Sequence, residues 1–160
     1  MAGFADLITE LETIANAQSG VNTFKYADVW DVNGFKNTEK VMMLVDRDHA
    51  VQYQHFNSNK GQRIYQYAFK WFWYNDFKQD DTQSLPQAIE ELQDIADQYL
   101  AKFFERYEDN ADTRPWEVVN LDDMAGSIDF PVHQDKYVQF LLQPIIELKT
   151  DCDDGTFDFT

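Results

Sequence analysis

The side chains with the most chemical potential in this sequence lie in one short mixed run. Asp46-Arg47-Asp48-His49 places two carboxylates, a guanidinium and an imidazole next to one another. Catalysis would require these groups to converge on one site, but adjacent residues of a strand point to opposite faces, so convergence needs a turn within the run. The pattern is more typical of a solvated turn of mixed charge than of a catalytic site.

Metal-binding patterns are also sparse. The histidines at positions 49, 55 and 133 form no HxH or HxxxH pair, and Cys152 is the only cysteine, so a structural zinc site has few ligands to draw on. Asp151-Cys152-Asp153-Asp154-Gly155 resembles a calcium loop but lacks its Asp-x-Asp-x-Asp-Gly order and its closing glutamate, which leaves adventitious cation binding as an alternative. Negative neighbours disfavour the thiolate of Cys152, which makes this residue a poor nucleophile.

Motifs for phosphate binding and for hydrolysis are absent as well. The six glycines form neither a GxxxxGK nor a GxGxxG loop, and no serine lies in a GxSxG sequence. We therefore predict no catalytic, cofactor-binding or metal-binding residue, and we expect a protein that is not an enzyme.

The composition indicates one acidic domain with a large aromatic core. The 160 residues include 13 Lys+Arg and 29 Asp+Glu, a formal net charge of −16, and 16% of them are aromatic. This length suits a single domain, which we place at residues 1–150, followed by an acidic tail at residues 151–160. The aromatic content argues against disorder, and the charge argues against sequence-specific nucleic-acid binding, which needs a basic face.

The expected compartment follows from the cysteine count and the apolar runs. One cysteine allows no disulfide within the chain, and the N-terminus has no secretory signal. The longest apolar run, Val41–Val45, is far shorter than the roughly 20 residues that cross a bilayer. We therefore expect a soluble protein made in a reducing cytoplasm, with no membrane partner.

The first part of the chain predicts a helix and a pair of strands. Apolar residues at three- and four-residue steps predict an amphipathic helix over residues 4–18. Alternation over Phe24–Val32 predicts a strand, and Asn33-Gly34 is typical of a tight two-residue turn. The continuous apolar run Val41–Val45 predicts a central strand, so the two strands are expected to form a hairpin.

A further predicted strand is unusually aromatic. Over Ile64–Tyr74, rings occupy five successive odd positions, which a strand would align on one face: Tyr65, Tyr67, Phe69, Trp71 and Trp73. The simplest interpretation is a strand whose aromatic face packs on helices in the core. The alternatives are a subunit interface, where aromatic anchors are common, and a ring-lined site for nucleobases or sugars.

The clearest helix follows this strand. Ser84 and Gln87 form a capping-box pair, and the apolar helical spacing continues over Leu85–Tyr107. The polar side of this helix carries four acids in its first half: Glu90, Glu91, Asp94 and Asp97.

Short strands are then predicted near residues 116–121 and 128–130. The last long extended segment is Tyr137–Lys149, in which Pro144 predicts a break, a bulge or an edge. The predicted fold class is therefore α+β: a mainly antiparallel sheet with an N-terminal helix and one long central helix packed on it.

The acids leave three interpretations of the surface. The charge could simply keep the protein solvated. It could line a conduit for DNA, because like charge prevents the tight phosphate contacts that basic walls make. It could also mimic the phosphates of DNA and occupy a nucleic-acid enzyme, although a mimic would spread acids over most of an elongated surface.

The order of these elements resembles that of tail-terminator and tail-completion proteins, and of related neck ring proteins, of tailed bacteriophages. The resemblance rests on element order, size and acidity, and it extends over most of the chain. It comprises the helix Phe4–Gln18, the strands Phe24–Val32 and Val41–Val45, the long helix Leu85–Tyr107 and the closing strand Tyr137–Lys149. The aromatic strand and the acidic tail depart from the simplest version of this layout.

The resemblance implies a virion structural protein, assembled in the host cytoplasm, that forms a homo-oligomeric ring at the head–tail junction, often hexameric or twelvefold. Such a ring contacts other neck, portal or tail proteins while DNA passes through its centre. The aromatic strand would then supply core and subunit contacts, and acids would line the lumen: Glu90, Glu91, Asp94, Asp97, Asp151, Asp153 and Asp154. The alternative is a small acidic intracellular binding or inhibitor protein, in one form a DNA mimic, that engages a basic partner.

Overall fold

A computed structural model of the chain describes residues 3–34, 41–57, 62–76, 84–108, 116–132 and 137–151. These residues form two α-helices, α1 (Phe4–Ala17) and α2 (Leu85–Glu108), and two short 3-10 helices, Val29–Gly34 and Leu121–Asp123. They also form nine strands, in chain order β1 (Val21–Ala27), β2 (Val41–Asp46), β3 (Ala50–Asn57), β4 (Gln62–Ala68), β5 (Trp71–Asp76), β6 (Trp116–Val118), β7 (Ala125–Val132), β8 (Tyr137–Gln143) and β9 (Ile145–Asp151). The predicted α+β class is confirmed.

The strands form two sheets that share one bend. Sheet A has the order β1-β2-β5-β8-β7, and sheet B has the order β3-β4-β9-β6. Three short connections cross between the sheets, of three residues from β2 to β3, two from β4 to β5 and one from β8 to β9, and the connected strands keep the same relative order in both sheets. The two sheets are therefore one set of long strands bent at a common corner.

Backbone hydrogen bonds hold this corner together. Phe69 N donates to Pro144 O at 2.9 Å, and Asp46 N donates to Lys70 O at 3.1 Å. Pro144 lies between β8 and β9, so the break that the sequence predicts within the last long strand is confirmed. Because proline has no amide hydrogen, it suits a position where the chain leaves one ladder and enters another.

Helix α1 forms where the apolar spacing predicts it. Gly3 N donates to Asp6 Oδ2 at 2.7 Å and so satisfies a donor at the start of the first turn. The helix ends at Ala17, where Gln18 N donates back to Ala15 O at 3.1 Å. Its apolar stripe contributes four residues to the main core: Leu7, Leu11, Ile14 and Ala15.

Helix α2 begins with the capping box that its sequence encodes. Ser84 N donates to Gln87 Oε1 at 2.9 Å, and Gln87 N donates to Ser84 Oγ at 3.3 Å, so both predicted bonds are present. Tyr99 OH donates to Leu11 O at 2.8 Å, which ties α2 to α1. The buried face of α2 consists of Ala88, Leu92, Ile95, Ala96, Tyr99 and Phe103.

The predicted hairpin between the first two strands is wrong. β1 pairs with β2 in parallel, from Val21 opposite Val41 to Ala27 opposite Asp46. β1 ends at Ala27 because the next residue starts a local turn: Asp28 Oδ1 accepts a hydrogen bond from Trp30 N at 3.0 Å.

The segment after this turn is a 3-10 helix, which contains Trp30 and the Asn33-Gly34 pair. The two residues of the pair therefore do not form a two-residue hairpin turn. Trp30, predicted to lie on a strand, is instead 80% exposed.

The predicted aromatic strand is two strands in different sheets. β4 ends at Ala68 in sheet B, and β5 begins at Trp71 in sheet A, with Phe69 and Lys70 between them at the corner. The alternation of side chains continues across the bend, so the sequence pattern alone does not reveal it.

Two further boundaries differ from the prediction. The short strand expected at residues 128–130 is part of the eight-residue β7. Asp151, placed in the acidic tail, is the last residue of β9, and residues 152–160 lie outside the described residues.

Candidate functional site

The aromatic stripe predicted from the sequence lies mostly in the core. Trp71 and Trp73 are fully buried, and Phe69 is nearly so. Tyr65 and Tyr67, on sheet B, are only partly buried. Three of the five candidate interface rings are therefore enclosed by the chain itself, and only the two tyrosines remain accessible to another molecule.

Edge-to-face ring contacts hold the two tryptophans against α2. Trp71 meets Tyr99 at a centroid distance of 5.5 Å and an interplanar angle of 79°, and Trp73 meets Tyr99 at 5.8 Å and 70°. Neither indole N–H has a hydrogen-bond acceptor among the described groups. Edge-to-face ring pairs at these distances stabilise the packing beyond the burial of the rings alone.

The middle strands of sheet A are buried on their second face as well. There, five residues form a separate apolar cluster: Met42, Leu44, Phe72, Tyr74 and Tyr137. Burial raises the pKa of Tyr74 strongly, and the carboxylate of Asp46 adds to the rise. The continuous apolar run of β2 and the aromatic residues at even positions in β5 were the sequence signals for this second face.

The mixed run at residues 46–49 does turn, but its side chains diverge. Asp48 N donates to Asp46 Oδ1 at 3.0 Å, which closes a local turn, and Arg47 Nη2 lies 3.7 Å from Asp28 Oδ2. His49 instead places its ring 4.7 Å from that of Phe69. The turn of mixed charge is present, but it is not solvated throughout as predicted, because Asp46 is only 4% exposed.

His49 belongs to a small aromatic cluster at the corner of the fold. Its ring also stacks on Phe4 at 5.5 Å and contacts Tyr26 and Tyr67. Burial raises the pKa of Tyr67, with a smaller contribution from Tyr65. Burial raises the pKa of Tyr26 in the same way. These contacts fasten α1 to the corner between the two sheets.

A groove of about 720 Å³ lies at the same corner. Ala50, Ala68 and Ile145 stand opposite one another on adjacent strands and are among the residues that line it. The lining also includes two carboxylates and one ammonium group, from Asp48, Asp123 and Lys70. The groove thus combines small apolar side chains with charges of both signs.

The outer face of α2 is acidic, as the sequence predicts. Glu90, Glu91, Asp94 and Asp97 are all exposed, on the side of the helix away from its buried residues. Toward the other end, the guanidinium of Arg106 pairs with Glu10 of α1. The other acids considered for a lumen, Asp151, Asp153 and Asp154, have side chains outside the described part of the chain.

Sheet B exposes apolar side chains at both of its ends, a feature that was not predicted from the sequence. Val51 and Tyr53 of β3 are 52% and 50% exposed, and the ring of Tyr53 lies 5.2 Å from that of Tyr65. At the opposite end, Val119 and Leu121, just after β6, are 43% and 54% exposed. A usable signal was present, because residues 50–57 contain no charged residue.

The described residues contain no group of three or more His, Cys, Asp or Glu side chains placed to hold a metal ion. Within the same residues, no helix combines the length and the apolar character needed to span a membrane. Comparison with known protein families gives no match for this chain, and comparison with curated proteins gives none either.

Proposed function

We propose that this protein is a non-enzymatic structural component of a tailed-bacteriophage virion. In this proposal, copies of the chain assemble in the host cytoplasm into a homo-oligomeric ring at the head–tail junction, as a tail terminator or neck connector. The ring contacts neighbouring neck, portal or tail proteins, and DNA passes through its lumen.

The exposed acidic face of α2 carries this proposal. Four carboxylates, those of Glu90, Glu91, Asp94 and Asp97, project from two adjacent turns of a helix whose other side is held in the core. A helix fixed in this way presents its charge in a defined direction. Carboxylates that face passing DNA repel its phosphates, so the DNA slides without being bound.

The order of elements supports the same proposal in part. A short amphipathic helix, a central apolar strand and a long helix packed on a sheet follow one another as the resemblance to tail and neck proteins implies. The parallel pairing of β1 with β2 departs from the hairpin expected for that layout. The proposal therefore rests more on the acidic helix than on topology.

The first test is the size and shape of the full-length protein in solution. We expect a ring by native mass spectrometry and negative-stain electron microscopy, or its formation when a tail or portal assembly is added. A chain that stays monomeric under all these conditions would contradict the proposed role.

The second test addresses the lumen. Neutralising the four acids of α2 with Gln or Asn, in the virus that encodes the chain, should slow DNA ejection while particles still assemble. The matched control neutralises three exposed acids elsewhere, Glu12, Asp122 and Asp123, and should leave ejection unchanged. Equal ejection rates in the two variants would contradict the proposal that the α2 acids face DNA in the lumen.

The same acidic face also favours a second candidate function. A small acidic binding or inhibitor protein, in one form a DNA mimic, would use these carboxylates to engage a basic partner such as a nuclease. This candidate predicts a monomer or dimer whose affinity for the basic partner falls steeply with salt. Neutralising the α2 acids would then abolish binding without any change in oligomeric state.

A further inference from the structure

Large apolar side chains are exposed at both ends of sheet B. One end is the outer edge of β3, with Val51 and Tyr53, and the other follows β6, with Val119 and Leu121. Strands β4 and β9 join these two edges in one continuous hydrogen-bonded sheet, so both apolar ends are held in a fixed position relative to each other.

The edge strand β3 differs from the other edge strands because it carries no charge. Its eight residues include no Asp, Glu, Lys, Arg or Pro, in a protein with 29 acids. The other edge strands each carry a charged residue: Lys25 in β1, Glu117 in β6, and Asp129, together with Pro131, in β7. Edge strands that must stay unpaired are usually protected by charges, prolines or bulges.

The bulge in β3 leaves its first half regular. The register between β3 and β4 shifts only after Tyr53, so Ala50–Tyr53 form an even ladder with β4. Two copies of a chain with net charge −16 repel each other, and an uncharged strand is where a second copy can approach with least repulsion.

Across sheet B, residues of similar polarity stand opposite one another on neighbouring strands and so form rows. On the core face, Tyr53, Tyr65, Leu148 and Trp116 stand opposite one another across four strands. On the other face, the corresponding row is Gln52, Gln66, Glu147 and Glu117. Within this second row, Gln66 Nε2 donates to Glu147 Oε2 at 3.1 Å.

We propose that copies of this chain join end to end through sheet B, with β3 of one copy added beside β6 of the next. β3 and β6 run in opposite directions within one sheet, because each neighbouring pair is antiparallel. A copy placed in the same orientation therefore adds its β3 antiparallel to β6. The inference rests on the self-assembly in the proposed function and names its contact.

The pairing continues both rows across the boundary between copies. Gln52 of the added copy comes beside Glu117, and this repeats the amide–carboxylate pair of Gln66 with Glu147. Tyr53 of the added copy comes beside Trp116, so its exposed ring gains an aromatic neighbour. Because the contact joins two different surfaces, it can repeat from copy to copy, and the ring of the proposed function, closed through this contact, leaves no open edge in sheet B.

The first experiment charges the β3 edge. Val51→Lys with Tyr53→Lys should shift the full-length protein from the mass of the ring to that of the monomer, because buried ammonium groups oppose strand addition. Ile128→Lys is the matched control, since Ile128 is a 40% exposed residue on β7, an edge strand of sheet A. It should leave the ring intact, and far-ultraviolet circular dichroism should show all variants folded.

The second experiment tests the pairing itself by oxidation of introduced thiols. Cys152→Ser removes the native cysteine from every chain used. Gln52→Cys is then introduced into one of these chains and Glu117→Cys into another. Within one copy these positions lie three strand spacings apart, about 14 Å, which is too far for a disulfide. We expect disulfide-linked dimers only when the two single-cysteine chains are mixed, and a ladder of larger species from a chain with both cysteines.

The outcomes separate this inference from the proposed function. A ring that survives charging of Val51 and Tyr53, or that forms no disulfide between the mixed chains, overturns the β3–β6 contact and leaves the ring itself standing. Dimers from Gln52→Cys alone would show β3 paired with β3 and also overturn the contact. A wild-type chain that is monomeric with and without a tail or portal assembly overturns the proposed function and this inference with it.

Discussion

Three strands of sheet A continue through the corner into strands of sheet B, yet the two sheets bury their side chains in different ways. Every residue of β2, an inner strand of sheet A, is buried, and apolar clusters cover both faces of the middle strands of that sheet. Sheet B has one apolar face and one polar face, and the apolar face becomes exposed at Val51 and Tyr53. The edge strands of sheet A are more open than its middle, with Tyr26 and Ile128 38% and 40% exposed. The difference therefore indicates that the middle of sheet A supplies most of the stability of the domain and that the β3 edge of sheet B is available for contact.

The largest effect should come from the core of sheet A. Trp73→Ala removes a fully buried ring between β5 and α2, and we expect it to lower the free energy of unfolding by about 3–5 kcal/mol. Tyr53→Ala, at the exposed end of sheet B, is the matched control and should cost less than about 1 kcal/mol. Urea unfolding at low protein concentration measures both, and similar losses at the two sites would contradict the division between the sheets.

A smaller effect is expected at the corner that joins the sheets. Asn120 Oδ1 accepts from Ile145 N at 2.8 Å, and its Nδ2 donates to Gln143 O at 3.0 Å, so one side chain bridges β8 and β9. Asn120→Ala leaves both backbone groups without this partner and should cost about 1–3 kcal/mol.

Asn120→Asp is the control for this corner. It keeps the acceptor for Ile145 N but sets a carboxylate oxygen against Gln143 O, so its loss of stability should be the smaller one only below pH ~4, where the carboxyl is protonated and can donate. If the two variants are equally stable, the amide of Asn120 does not hold the corner.

The pH dependence of stability should be steepest for sheet A, because burial raises the pKa of Tyr74 more strongly than that of Tyr67 in sheet B. Burial raises the pKa of Tyr74 in sheet A above the value of about 10 that it has in the unfolded chain. The contribution of this phenol is therefore fully present below pH ~10 and is lost as the pH rises further, by up to about 1.4 kcal/mol per pH unit.

Tyr74→Phe should remove that loss, and the measurement is urea unfolding at a series of pH values from neutral to alkaline. Tyr53→Phe is the matched control at the exposed end of sheet B, and it should follow the wild-type curve. A Tyr74→Phe variant that loses stability as steeply as wild type above pH ~10 would show that other groups dominate the alkaline transition.

The sequence predicts those parts of the fold that depend on local signals. The helical spacing of Leu7 and Leu11, and the pairing of Ser84 with Gln87, lie within a few residues and are found where expected. The pairing of β1 with β2 depends on residues twenty positions apart, and a turn closed by Asp28 overrides the local Asn33-Gly34 signal. Strand partners are set by packing of the whole chain, which a periodic pattern does not contain.

The candidate surfaces also divide into those that local sequence signals predict and those that depend on how the strands pair. The exposed acids of α2 follow directly from helical periodicity, so Glu90 and Asp94 could be placed on the outer face from sequence alone. The stripe from Tyr65 to Trp73 could not be divided into accessible and buried halves, because its alternation passes through the corner at Phe69 without a change. The uncharged β3 was visible in the sequence, but its position at an edge follows only from the pairing of the strands.

The smallest expected effect is at Val51, and it is also the one that depends on concentration. Val51→Thr exchanges a methyl group for a hydroxyl at a half-exposed position, so in dilute protein its cost should stay within about 0.5 kcal/mol. Val45→Thr makes the same exchange in the buried centre of sheet A, where an unsatisfied hydroxyl should cost about 1–3 kcal/mol.

When the protein is concentrated enough for copies to associate, a residue in the contact stabilises the folded state by mass action, so the cost at Val51 should rise while the cost at Val45 should change less. A cost at Val51 that is equally small in dilute and associated protein would place the contact between copies elsewhere on the molecule.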